Sequence, residues 1–499
     1  MVQETNFDVI IVGAGISGID CAYRLQERLP HLSYAVLDGR GELGGTWSLF
    51  KYPGIRSDSD LITFGFPWHP WESEREIATA PAILDYLQDA CQKNGIDKRI
   101  RYHHHVSELH WKSDLQLWQV KVLLNHTPQT PSTNTRMFHA RYIVMGTGYY
   151  DYHEPLATSV PGLEMFKGSL IHPQFWPTDL DHKNKRVAII GSGATAVTIL
   201  PAMAQTAEKV TMIQRSPGFF FTPPLSDGFN IWAKRWLPAG LAYRVMRARM
   251  IVILFLLINF CWWFPNTASR FLKGETKKLL PPDTHLKMDP DFTPAYTPMQ
   301  QRLCISPGGD FFDAIKSDKG DIVTGQIERV EANGVRMTDG RFVEADILIT
   351  ATGLKIHIGG HSKLFVDGEE VPYSSRFVWK GTMLQDVPNF AFVVGYVDTP
   401  WTLGSDATAR LFTRIIKEAE RRKAAFVMPK LTEKEEREVK VVPYIGLNST
   451  YLKRGKELGC FPKGGDRGPW VPRHSYMKDN WAANYGSMNG LVFRGRTTK

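Results

Sequence analysis

The strongest constraint on this chain is one local pattern that occurs twice. In FDVIIVGAGISGIDCAYRL a short apolar run leads into Gly13-x-Gly15-x-x-Gly18 and then into a helical repeat. In KRVAIIGSGATAVTILPAMA the same order returns, with Gly191-x-Gly193-x-x-Ala196 at the turn. The first glycine of such a turn makes the tight bend, and the second lets a pyrophosphate approach the backbone. The third, small residue lets helix and strand pack closely. The helix N-terminus then favours the phosphate charge. A lone glycine fingerprint is weak, but each of these lies between a strand pattern and a helix pattern. Two dinucleotide sites in an α/β fold are expected.

The end of the next strand separates the two sites. SYAVLD ends in Asp38, about 20 residues past the first turn, where an acid accepts from ribose hydroxyls. KVTMIQRS ends in Arg215 and Ser216. An acid there would repel a 2′-phosphate, whereas a guanidinium pairs with it. Gly191, Ser192, Gly193, Ala194, Thr195 and Ala196, with Arg215 and Ser216, are therefore expected to bind NADP(H). The first turn (Gly13, Gly15, Ser17, Gly18) and Asp38 are followed closely by GGTW and Thr46, Trp47, Ser48 and Leu49. That loop resembles the flavin-proximal loop of flavoproteins with two dinucleotide domains, and the resemblance assigns FAD to the first site.

Two further strand-and-glycine runs, ARYIVMGTGYY and EADILITATGLKI, complete the pattern. Strands alternating with helices imply mostly parallel sheets. The expected architecture is α/β with two Rossmann-like domains, the NADP domain inserted in the FAD domain. Residues 1–150 begin the FAD domain and 151–184 form a linker. Residues 185–355 form the NADP domain, with a helical insertion at about 217–298. Residues 356–499 return to the FAD domain and end in an irregular tail.

The five cysteines are scattered and hold no C-x-x-C, so neither a disulfide framework nor a zinc site is expected. No metal site is expected elsewhere, and the missing redox pair argues against disulfide reduction. A reducing, cytoplasmic setting follows, and the N-terminal run lacks the pattern of a signal peptide. The net charge of +9 suits phosphate-bearing cofactors, and without a basic arm no nucleic-acid partner is expected.

Met250–Phe264, MIVILFLLINFCWWF, resists the plain soluble reading. It is shorter than the roughly 18–20 apolar residues of a spanning helix. It reads first as a buried or pocket-lining helix. The alternative is a peripheral membrane contact, with Trp262 and Trp263 at the interface.

FKGSLIHPQFWP, ahead of the second turn, resembles the fingerprint of type I Baeyer–Villiger monooxygenases through Phe166, Gly168, His172, Trp176 and Pro177. GGTW, YPGIRSDSD, GSGATA and QRLC are most similar to the ethionamide-activating branch of that family, and the match covers nearly the whole chain. The resemblance implies an enzyme that reduces FAD with NADPH, activates oxygen on it, and inserts one oxygen beside a ketone carbonyl. Hydrophobic ketones are the expected substrates, with sulfides also oxidised. It places the family's arginine at Arg302 and its acid at Asp58. A guanidinium that keeps its charge stabilises the oxygen anion that attacks, with Asp58 holding and tuning it. Arg56, Ser57, Asp58 and Val106 are carried over as cofactor contacts, and His172 as a coupling rather than catalytic residue. Asp38 stands where relatives usually have Glu. The rival expectations are an N- or S-oxygenating flavin enzyme and a membrane-associated NADPH:quinone dehydrogenase.

Overall fold

The computed structural model describes residues 4–495. The apolar run that opens the chain becomes β1 (Asn6–Val12), followed by α1 (Ile16–Arg28) and β2 (Tyr34–Leu37). β1 pairs parallel to β2 on one side and to β6 (Thr135–Met145) on the other, and its two faces are buried in separate clusters, Val9 and Ile11 in one, Phe7, Ile10 and Val12 in the other. β3 (Ile100–Arg101) extends this edge. β4 (His104–Lys112) and β5 (Leu117–Leu124) form an antiparallel meander with β6. Strands 363–366, 369–370 and 390–392 return from far along the chain to complete a nine-stranded sheet.

A second, five-stranded sheet is wholly parallel. Its order is Gly320–Thr324, β9 (Lys209–Gln214), β8 (Arg186–Ile190), Ile347–Thr350 and β7 (Ser169–Ile171). α2 (Ala194–Met203) covers it after the second glycine turn. As expected, one dinucleotide-type unit is inserted in the other. The short strand β7 lies inside the fingerprint stretch and forms the edge of the inserted sheet.

The two connections between the units pair with each other. Tyr150 bridges Ile356, Asp151 N donates to Lys355 O at 2.8 Å, and His357 N donates to Tyr149 O at 3.0 Å. A second tie is the ion pair of Arg56 with Asp310. Beside it, Gly54 lies so close to α2 that a methyl group there would be 2.8 Å from the Ala202 Cβ. Within the first unit, α1 docks through Arg24, whose Nε meets Asp406 Oδ1 at 2.6 Å with both side chains buried.

The insertion holds α3 (Gly228–Trp236), α4 (Ala239–Trp263) and α5 (Pro265–Leu279). Here the expectation of a buried helix is corrected. α4 starts eleven residues before Met250 and runs for 25, long and apolar enough to cross a membrane by length and composition. Only 17% of its most apolar stretch is buried. One flank does line a cavity, as the pocket reading expected. The tail is also more ordered than expected. It carries helices Thr450–Glu457 and Tyr476–Tyr485, and Leu491–Gly495 pairs with Ala424–Pro429.

Candidate active site

The first glycine turn is built as its spacing requires. Gly13 sits at φ +102°, and a methyl group on Gly18 would collide with the Gly13 carbonyl oxygen. Gly15 caps α1, and a methyl group there would make only ordinary contact, 3.6 Å from Gly45 Cα. Protein packing therefore does not demand that glycine, whereas a closely approaching phosphate does. Asp38 Oδ2 accepts from Ala14 N at 2.6 Å and Oδ1 from Arg40 N at 2.8 Å. Each oxygen keeps a lone pair for a ribose hydroxyl. Burial raises the carboxyl's pKa, and these two amide bonds oppose the rise.

Thr46–Leu49 forms a single helical turn facing this site. Thr46 Oγ1 lies 3.1 Å from the Tyr152 hydroxyl, and Arg40 Nη1 donates to Ser48 Oγ at 2.7 Å. Trp47 packs edge-on against Phe64. Ser17 Oγ accepts from Trp401 Nε1 at 2.8 Å.

The second turn repeats the design. Gly191 has φ +133°, and a methyl group there would overlap the Ala351 carbonyl oxygen. Gly193 caps α2, and nothing stands within 4 Å of where its Cβ would be. Ser192 Oγ donates to Ser216 O at 2.8 Å. Ala194, Thr195 and Ala196 form the first turn of α2, with Ala196 buried and Thr195 reaching the Tyr52 hydroxyl. Arg215 is exposed, and among the described residues no carboxylate pairs with it.

Arg302 projects from the loop after the insertion toward the first unit. Its Nη2 donates to the Tyr149 hydroxyl at 2.9 Å. Arg302 is an exposed residue overall, and its guanidinium sits among Tyr149, Tyr451, Tyr150 and Asp58, which raise its pKa. Tyr149 stacks on Trp401 at 5.2 Å, and its hydroxyl lies 2.8 Å from that of Tyr150. Asp58 and Asp398 are close enough to Arg302 to feel its charge. Burial raises both carboxyl pKa values, against the pull of Arg302. Asp58 makes no ion pair with Arg302 within 4.0 Å among the described residues, so tyrosine rather than carboxylate holds the guanidinium here. Asp398 and Met299 also line a cavity of about 570 Å³, walled by Leu254, Phe255 and Trp262 of α4.

Other sequence-expected residues lie elsewhere. Arg56 is spent on Asp310 and on Ile305 O. Ser57 is buried, its Oγ donating to Ser59 O at 2.7 Å. Val106 is buried among the side chains on the far face of the first sheet. In the fingerprint stretch, Phe166 packs on the small sheet at 327–343 and Trp176 on the core beneath α2. A methyl group on Gly168 would collide with Asp346 O, and Pro177 is exposed. His172 Nδ1 accepts from Gln174 N at 3.3 Å, Nε2 is buried without a partner, and burial lowers the ring's pKa. Gln174 Nε2 donates to Asp151 O at 2.6 Å, which ties the stretch to the inter-unit connection.

Sequence reasoning missed Tyr149, Tyr150, Trp401 and Asp398. The tyrosines had a signal, since they directly follow Gly146-Thr147-Gly148 at the carboxyl end of β6, where α/β sheets bind ligands. Trp401 and Asp398 had none.

Comparison with known proteins follows this geometry. The family described as pyridine nucleotide-disulphide oxidoreductase matches residues 10–226. The matched stretch spans both glycine turns. The FAD-containing monooxygenase EthA of Mycobacterium tuberculosis is 38% identical over 494 residues, 98% of each chain. Among solved structures, a polycyclic ketone monooxygenase from the fungus Thermothelomyces thermophila superposes with a TM-score of 0.74. It is 17% identical, covering 100% of this chain and 91% of its own. Cyclohexanone monooxygenase from Rhodococcus sp. Phi1, bound to NADP+, gives 0.70 at 19% identity, covering 99% and 100%. At those identities the two structures establish the fold.

Proposed function

The chain belongs to the FAD-containing monooxygenases, and from that premise we propose that it is an NADPH- and oxygen-dependent Baeyer–Villiger enzyme. It converts apolar ketones to esters or lactones and also oxidises sulfides. The observation that carries this reading is Arg302: a guanidinium anchored by Tyr149 and within electrostatic reach of Asp398, which lines a cavity that α4 walls with apolar side chains.

The residues present fit both cofactors. Gly15 and Asp38, with the Thr46–Leu49 turn, would hold FAD. The Gly191–Ala196 turn would hold NADPH, with exposed Arg215 and Ser216 on its 2′-phosphate. Bound FAD supplies the redox centre that accepts a hydride from NADPH and activates oxygen. Arg302 supplies fixed positive charge, because a guanidinium does not deprotonate at any working pH. Placed against a ketone oxygen, it stabilises the negative charge that develops there as the carbonyl is attacked. Tyr149 sets where that charge sits. Asp58 and Asp398 balance it without neutralising it by direct pairing. The apolar face that α4 gives the cavity favours ketones of matching character.

The test is product analysis under labelled oxygen with FAD-loaded enzyme, NADPH and an apolar ketone. One labelled oxygen atom should enter an ester. Arg302→Ala should abolish ester formation, while NADPH oxidation continues with release of hydrogen peroxide. Ester formation at the original rate in that variant would overturn the reading.

A further inference from the structure

We propose that α3, α4 and α5 form a docking surface for an anionic lipid bilayer, which the enzyme engages peripherally. Val252 and Leu256 of α4 are 46% and 58% exposed, and Trp263 is 66% exposed. Their spacing puts them on one stripe of the helix. Trp236 at the end of α3 is 67% exposed, and Phe264 and Phe271 continue the apolar surface onto α5. Soluble monomers rarely leave so much contiguous apolar surface in water. Tryptophans at helix ends suit the boundary between headgroups and acyl chains.

Charge identifies the occupant. Residues 228–279 carry nine basic side chains and one acidic one, so this stretch accounts for eight of the chain's nine net positive charges. Arg235, Arg244, Arg270, Lys277 and Lys278 are exposed. Two copies of such a surface would repel each other, whereas an anionic membrane attracts it. The engagement is peripheral, because α4 cannot leave the protein to span a bilayer. Arg247 Nη1 donates to Ile62 O at 2.7 Å and Gly65 O at 2.9 Å, and the Tyr243 hydroxyl donates to Phe66 O at 2.9 Å. The other flank of α4, through Leu254, Phe255 and Ile258, walls the 570 Å³ cavity. The bilayer thus meets the helix that borders the cavity and offers a route for an apolar ketone. That last clause alone rests on the function proposed above.

The experiment is co-sedimentation of the FAD-loaded, full-length enzyme with phosphatidylcholine vesicles containing about a third phosphatidylglycerol. The protein should pellet with them, and much less with pure phosphatidylcholine or at high salt. The double variant Val252→Glu/Leu256→Glu touches neither the cavity nor the cofactor turns. It should lower the bound fraction at least about tenfold, while keeping the parent's melting temperature and NADPH oxidation rate on a water-soluble ketone. Equal binding by parent and variant would overturn the proposal. So would a parent that ignores vesicles but forms a concentration-dependent dimer that the variant loses, which would make a second copy the occupant. Neither readout depends on which product the enzyme forms.

Discussion

Tyr149→Phe isolates the anchoring of Arg302 better than any change to Arg302 itself. The substitution deletes one oxygen atom. That oxygen accepts from Arg302 Nη2 at 2.9 Å and lies 2.8 Å from the Tyr150 hydroxyl. The ring remains, so the stack on Trp401 at 5.2 Å and 14° is preserved. Fold stability should therefore fall by no more than about 3 kcal/mol. The guanidinium, however, loses its neutral partner and is free to turn toward Asp58 or Asp398, whose carboxylates would draw its charge away from the substrate. A hydrogen bond to a charged group contributes about 1.5–3 kcal/mol. If that contribution acts on the step that makes the ester, kcat falls by roughly 10- to 150-fold.

The assay measures ester formation, NADPH oxidation and hydrogen peroxide together. Ester kcat should fall within that range, the KM for NADPH should hold, and peroxide should rise by the amount the ester loses. The fraction of NADPH oxidation that yields ester is a readout that a merely structural tyrosine would not move. An unchanged ester fraction would refute the anchoring argument. A fall in ester accompanied by a matching rise in the KM for NADPH would refute it too, by showing general damage to the cleft.

Three further outcomes follow. Gly191→Ala forces a side chain to φ +133° against the Ala351 carbonyl; it should destabilise the fold by more than about 2 kcal/mol, read as a lower melting temperature and loss of NADPH binding. Arg215→Ala should raise the KM for NADPH about 10- to 100-fold, the loss of one charged hydrogen bond, and leave activity with NADH unchanged; equal losses with both would place the 2′-phosphate elsewhere. Burial, helped by neighbouring histidines, lowers the pKa of His105 and of His357 to about 4. Both rings fold neutral, so their stabilisation is complete above their unfolded pKa of about 6.5 and is lost as pH falls toward 4. Discounted for partial exposure, the pair should contribute on the order of 2–4 kcal/mol, seen as a melting temperature that drops between those pH values and drops less in His105→Phe.

The parts of the fold legible in the sequence are those fixed within a few residues. A glycine at positive φ, a small residue where helix crosses strand, and an acid or a base at a strand end are local requirements, and local requirements leave local patterns. Both dinucleotide turns and the insertion of one unit in the other were legible for that reason. The character of α4 was only half legible. MIVILFLLINFCWWF shows an apolar run, but the helix begins at Ala239 among arginines, which hid its length. Its exposure was not legible at all, because burial depends on what the rest of the chain leaves uncovered.

The chemistry lies between these cases. Arg302 and Asp58 are 244 positions apart, and neither carries a local pattern that marks it; only the resemblance to a family singled them out. Their surroundings come from four separate segments: the loop around Arg302, the turn at Tyr149, the loop at Asp58, and the stretch that runs from Asp398 into the helix beginning at Trp401. What brings them together is the pairing of the two inter-unit connections. The bridge between Tyr150 and Ile356 fixes Tyr149 one residue away, and Tyr149 in turn holds Arg302. Gln174 ties the fingerprint stretch to Asp151 on the same connection. The fingerprint and the guanidinium therefore meet the same three consecutive residues, 149 to 151, from opposite ends. On the function proposed above, a stretch with no catalytic group of its own governs the reaction in this way, by fixing the connection from which the arginine is held.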